Sequence, residues 1–118
     1  MEVARRGRPS FSQVRENLAK ILFVAGECYG YEAFLIYRMV FSPVSIRSIY
    51  YNLQKGVALE EFSISRVERA EGRFSWGDNS ERSYYALNNK RVSISEEEVV
   101  RIRYAIKRIQ EQHGPAGN

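Results

Sequence analysis

Residues 42–56 read Ser42-Pro43-Val44-Ser45-Ile46-Arg47-Ser48-Ile49-Tyr50-Tyr51-Asn52-Leu53-Gln54-Lys55-Gly56, a short helix with both ends marked. Pro43 keeps Ser42 out of helical geometry, and the Ser45 hydroxyl is placed to cap the first turn. Gly56 is expected to stop the helix in a left-handed conformation. At about 100° per residue, Ile46, Ile49, Tyr50 and Leu53 fall on one face. The other face collects Arg47, Ser48, Tyr51, Asn52, Gln54 and Lys55, with no carboxylate among them. A solvated face ordinarily mixes both charge signs. A face of hydrogen-bond donors without acids suits contact with phosphates and base edges.

The neighbouring segments build a domain around this helix. Ser10 and Gln13 form a capping-box pair, and Val14, Leu18, Ile21, Leu22 and Ala25 recur at helical spacing up to Gly26. Gly30-Tyr31-Glu32 opens a second helix that carries Phe34, Leu35, Ile36, Met39, Val40 and Phe41, a buried central helix with Tyr37 and Arg38 as its exposed points. Arg15 and Lys20 are expected to be ordinary exposed charges. Two helices joined by a tight turn, the second polar outside, give a helix-turn-helix.

Beyond Gly56 the period changes. Residues 61–70 alternate around Phe62 and Ile64 and shift phase at Val67, which predicts a strand with a bulge. Turn signals at Glu71-Gly72 and Gly77-Asp78-Asn79-Ser80 lead to a second strand, Arg82–Leu87. The hairpin carries Arg66, Arg69, Arg73 and Arg82, with Trp76 near its turn. After a linker, Ser95 and Glu98 make another capping box, and a helix runs to about Gln112. Its Val99, Ile102, Ile106 and Ile109 form a narrow seam, either packed on the parent domain or, as expected here, used for dimerisation. The fold class expected is α+β: a winged helix-turn-helix of three helices and a β-hairpin wing, with an additional C-terminal helix. Its divisions are a basic arm (1–9), the winged-helix domain (10–87), linker and helix (88–112) and a tail (113–118).

Charge is distributed unevenly. The net charge is +4; residues 1–56 hold eight Lys/Arg against four Asp/Glu, and residues 57–118 hold ten against ten. The excess therefore accompanies the arm and the helix at 45–55, as a polyanion-binding surface requires. The single cysteine, Cys28, has no intrachain partner, and no Cys/His cluster has zinc spacing, so neither a metal nor a cofactor is expected. No apolar run is long enough for a bilayer, which suggests a cytoplasmic protein with no membrane partner. One histidine, no phosphate-binding glycine loop and no nucleophile–base pair argue against an enzyme.

Arg6-Gly7-Arg8-Pro9 resembles the core of the AT-hook, whose arginines enter a narrow minor groove; a solvated basic tail is the other reading. Three further stretches are similar to PadR-like winged-helix transcription regulators. They are Gly30-Tyr31-Glu32, Ser45-x-x-Ser48-Ile49-Tyr50-x-x-Leu53, and Arg82-Ser-Tyr84-Tyr85-Ala-Leu87. Arg47 stands where that family has glycine, and the helix is expected to end early at Gly56.

The function expected is double-stranded DNA binding by a homodimeric transcriptional regulator, with any small-molecule effector unidentified. Ser45, Arg47, Ser48, Tyr51, Asn52 and Lys55 would serve the major groove. Arg69, Arg73 and Trp76 would lie along the backbone, and Arg6 and Arg8 in a flanking minor groove. The alternative is a winged-helix module for protein or RNA interaction, carried by hairpin aromatics such as Phe74, Trp76, Tyr84 and Tyr85.

Overall fold

Among the described residues of the computed structural model seven elements follow one another: α1 (Gln13–Ala25), β1 (Cys28–Tyr29), α2 (Gly30–Val40), α3 (Ile46–Ala58), β2 (Phe62–Ala70), β3 (Ser80–Leu87) and α4 (Glu96–His113). The structure describes residues 12–70, 80–88 and 91–113. The fold is α+β, with four helices among the described residues and a three-stranded antiparallel sheet in the order β1-β3-β2. Among the described residues no helix is long and apolar enough to cross a membrane.

The cap of α1 is Ser12, two residues beyond the expected Ser10; its Oγ accepts from the Arg15 amide at 3.1 Å. Gln13 is thus the first helical residue, and its side-chain amide donates to Asn17 Oδ1 at 3.2 Å rather than closing a capping box. Gly26 ends the helix with φ at 87°, a conformation that costs glycine nothing. Arg15 and Lys20, expected to be solvated, are both held. Arg15 is 8% exposed and pairs with Glu61 at 3.0 Å, while Lys20 pairs with Glu98 at 2.9 Å.

Helix α2 buries one stripe, Ala33, Ile36, Tyr37 and Val40, and is not enclosed all round. Tyr37 is buried and Met39 exposed, the reverse of their expected places. The phenol is accommodated because Asn17 Nδ2 donates to Tyr37 Oη at 3.0 Å, so the ring enters the core with its oxygen satisfied.

Helix α3 starts as expected, with Ser45 Oγ accepting from the Ser48 amide at 3.0 Å. It does not stop at Gly56. It continues to Ala58 and turns out at Glu60, whose φ of 65° is the left-handed conformation usually left to glycine. Gly56 is buried inside the helix, and a Cβ there would penetrate the Phe62 ring. Glycine is needed at 56 for close approach: the ring of Phe62, 1% exposed, occupies the space a Cβ would take. Gly30 plays the same part at the start of α2, where a Cβ would collide with the Tyr50 ring.

Strands β2 and β3 pair antiparallel from Phe62↔Leu87 to Ala70↔Ser80, with a register shift between Ile64 and Arg66 that is the expected bulge. The two-residue β1, which the sequence pattern did not suggest, adds Cys28↔Tyr85 and Tyr29↔Tyr84 on the other side of β3.

Helix α4 opens with the expected capping box, Ser95 Oγ accepting from the Glu98 amide and Glu98 Oε1 from the Ser95 amide, each at 3.1 Å. Its apolar seam turns inward. Ile102, Ala105 and Ile109 are buried in one core with residues of α1 and α2, Ile106 packs beside them, and Val99 is half-buried. The seam expected to dimerise is therefore occupied within the chain.

Two outcomes are expected. On helix propensity alone, Gly56→Ala would stabilise α3 by about 1 kcal/mol. Overlap with Phe62 should instead produce a net loss of about 1–3 kcal/mol in urea denaturation, partly recovered by Phe62→Leu in the same chain. The second concerns acid. The Ser95 backbone amide, then the Lys20 ammonium, hold the Glu98 carboxyl below its ordinary value. A carboxyl lowered in the folded state contributes stability above that ordinary value and loses it as pH falls through the lowered one. Glu98→Gln, which keeps an acceptor for the Ser95 amide, should flatten this part of an acid denaturation profile.

Candidate nucleic-acid interface

The exposed face of α3 is set by what the helix must bury. Ile49, Asn52, Leu53 and Gly56 point inward. At about 100° per residue this rotates the buried arc by roughly 60° from the arc of Ile46, Ile49, Tyr50 and Leu53. Asn52 makes the difference. It was expected on the outer face, yet it is 7% exposed, because its amide is committed at both ends. Its Oδ1 accepts from Ser12 Oγ at 2.9 Å, and its Nδ2 donates to the Ser48 carbonyl at 2.9 Å. Asn52 thus latches α3 to the cap of α1. Ser48, half-buried beneath it, and Ser45, engaged as the cap, share this structural work.

Outward stand Arg47, Tyr51 and Gln54, with Ile46 and Tyr50 at one rim, both 38% exposed, and Lys55 at the other. Arg47 and Lys55 have no acidic partner among the described residues, and α3 has no acid in its first turn. Gln54 stood on the expected outer face but was given no contact, whereas Ile46 and Tyr50 were expected on the buried one. The signal that finds these two is the glycine at 56, which forces its own side of the helix inward. Beside Tyr50 and Gln54 lies a cleft of about 240 Å³, closed by Gly30 and by Arg82, Ser83 and Tyr85 of β3. Burial pushes the Tyr50 and Tyr85 phenols up, while a hydrogen bond with Gln54 works against that rise at Tyr85.

The hairpin cations are engaged. Arg66 lies over the Tyr84 ring at 3.8 Å and pairs with Glu27 at 2.8 Å. Ser65 Oγ donates to the same Glu27 carboxylate at 2.7 Å, and this bond, then that of Arg66, holds the carboxyl below its ordinary value. Arg82 lies over Tyr29 at 4.7 Å and approaches Glu68 at 3.9 Å. Arg69, expected to contact the backbone, pairs with Glu81 at 2.8 Å. These pairs are solvent-exposed and individually weak, so a phosphate can displace the carboxylate. Arg6, Arg8, Arg73 and Trp76 lie outside the described residues.

Cys28 is 1% exposed; burial, then the neighbouring Glu32, push its thiol well above the ordinary value, which disfavours the nucleophilic thiolate. Among the described residues no group of three His, Cys, Asp or Glu could hold a metal ion.

Asn52→Ala should cost about 1–3 kcal/mol in thermal denaturation, because it strands the Ser12 hydroxyl and opens the latch between α1 and α3. Substitution of the outward Tyr51 by Ala should leave stability nearly unchanged. No family model, curated protein or solved structure matches this chain.

Proposed function

We propose that the chain is a double-stranded DNA-binding protein, a transcriptional regulator of winged-helix type whose α3 enters the major groove. The observation that carries this reading is the face of α3: Arg47, Tyr51, Gln54 and Lys55 stand outward without a carboxylate, while the described arginines of the hairpin all lie beside acids. The connectivity supports it as well. The order α1-β1-α2-α3-β2-β3 with the sheet order β1-β3-β2 agrees with the layout of winged-helix proteins, in which the hairpin stands beside the recognition helix. The three PadR-like stretches fall at the start of α2, in α3 and in β3.

Roles divide by chemistry. Arg47, near the start of α3, has the forked donor geometry that pairs with both acceptors of guanine. Gln54 offers the amide that suits adenine, and Tyr51 presents a ring and a hydroxyl to a base edge or a sugar. Lys55 is a point charge suited to phosphate. Arg69 joins the phosphate contacts by exchanging Glu81 for the backbone, and Arg6 and Arg8 extend the footprint into a flanking minor groove.

The test is fluorescence anisotropy with a mixed duplex, an A·T-rich duplex and the matching RNA, each at several salt concentrations. Duplex binding with a steep salt slope is expected, because cation–phosphate contacts release counterions. Arg47→Ala should cost about 1–3 kcal/mol and relax preference at one base position; Lys55→Ala should weaken all duplexes alike and reduce the salt slope by about one. Preference for the RNA would favour an RNA-binding module, and no binding at low salt would remove the nucleic-acid reading.

A further inference from the structure

Strand β3 is flanked unequally. On one side β2 pairs along its whole length; on the other, β1 pairs only at Tyr84 and Tyr85, and the chain then leaves the sheet at Gly30 to start α2. From Ser83 outward that edge has no strand beside it among the described residues. The hydrogen bonds of the paired side fix where its backbone groups point. The Asn88 amide donates to the Glu61 carbonyl at 2.9 Å, so along an antiparallel ladder Ala86, Tyr84 and Arg82 turn both N–H and C=O toward β2. Tyr85, Ser83 and Glu81 turn theirs the opposite way. Tyr85 meets Cys28 and Ser83 lies beside the turn into α2, whereas Glu81 presents a donor and an acceptor side by side at the open edge.

The cleft of about 240 Å³ between β3 and α3 lies on this edge, with Glu81, Arg82 and Ser83 among its lining. Tyr50 also lines it; its ring rests on Gly30 and stays 38% exposed. Burial pushes the phenols of Tyr29, Tyr50 and Tyr85 up, so each remains a neutral hydroxyl. Both charged side chains of the cleft are already engaged, Glu81 with Arg69 at 2.8 Å and Arg82 over the Tyr29 ring at 4.7 Å.

These features select a ligand chemistry. With the charges engaged and a carbonyl at the edge, a bare anion gains little. An apolar molecule would leave the Glu81 amide and carbonyl without partners. An added peptide strand would find only Ser80 to Ser83, less than an ordinary strand of about five or six residues, with α2 closing one end. A nucleobase meets each requirement: its flat face suits the Tyr50 ring, and its pairing edge carries a donor next to an acceptor. We infer that this cleft is a site for one unpaired nucleobase, held at its edge by the Glu81 backbone and at its face by Tyr50. A base within a duplex is excluded, because its own partner takes that edge. The same chemistry can arrive as a free nucleoside or as an unstacked base of a single strand. The inference uses the edge of β3 and does not depend on α3 entering a major groove.

Amide NMR of the isotope-labelled full chain tests it, with adenosine, cytidine, ribose 5-phosphate, a blocked dipeptide and a single-stranded oligonucleotide as probes. The probes that carry a base should shift the Glu81 backbone amide and the Gln54 side-chain amide at up to millimolar concentration, and ribose 5-phosphate should shift neither. Glu81→Pro removes the donor at an edge position that tolerates proline, and should weaken base binding about tenfold. Glu81→Gln keeps the N–H and should bind as the parent does. Circular dichroism checks that each variant folds, and Tyr50→Leu supplies a second loss at the face of the base. Shifts from the nucleosides assign the site to free bases; shifts from the oligonucleotide alone, lost in Glu81→Pro, assign it to a strand. No shift at Glu81 from any base overturns the inference. So do equal shifts from ribose 5-phosphate or the dipeptide, or undiminished binding by folded Glu81→Pro.

Discussion

Two aromatic rings rest directly on helix backbone, and the architecture depends on that closeness. Phe62 lies on α3 at Gly56, and Tyr50 of α3 lies on the first turn of α2 at Gly30. Each glycine removes the one atom that would hold ring and helix apart. Through these contacts α3 is gripped by β2 on one flank and by α2 on the other, and the Ser12–Asn52 hydrogen bond ties it to α1. A helix held at three places has no rotational freedom, so the set of side chains left outward is determined by what lies inside.

That determination separates two kinds of cation. On α1 and the hairpin, arginines lie against carboxylates or aromatic rings and contribute to tertiary structure: Arg15 to Glu61, Arg66 between Glu27 and Tyr84, Arg82 over Tyr29. On α3 and the outer part of α4, Arg47, Lys55, Lys107 and Arg108 have no acid beside them among the described residues. Unpaired charge on an exposed helix face stays hydrated, and it loses no internal partner on meeting an anion.

Hydrophobic periodicity made most of the elements legible. The spacing of Leu18, Ile21 and Leu22, the alternation around Phe62, and the Ser95–Glu98 box are local signals with a local cause, and the structure carries each of them. The rest depended on partners distant in the chain. Gly56 looks like a stop signal until Phe62 is seen upon it. Asn52 belongs outside a helix unless a serine forty residues away receives it, and Tyr37 enters the core only because Asn17 meets its hydroxyl. The two-residue β1 has no periodicity to detect. The seam of α4 was visible as a seam, but a stripe of isoleucines does not record whether its cover is this chain or another. At the candidate site, Arg47, Tyr51, Gln54 and Lys55 were legible as an outer face because polar side chains in water need no tertiary partner, whereas Tyr50 became outward only through the rotation that Gly56 and Asn52 impose.

The irregularity at Ser65 has a consequence for sign. Up to Ile64, even-numbered residues of β2 share the face of Phe62 and Tyr85, the face that meets α3; beyond the shift, Val67↔Ser83 and Arg69↔Glu81 take that face, and Arg66↔Tyr84 and Glu68↔Arg82 take the other. One inserted residue has exchanged the parity of the strand. With an uninterrupted ladder, Glu68 would look toward α3 and Arg69 away from it. The extra residue therefore acts as a polarity selector within β2: it sends the guanidinium of Arg69 rather than the carboxylate of Glu68 to the face that carries Glu81, where the two side chains pair at 2.8 Å.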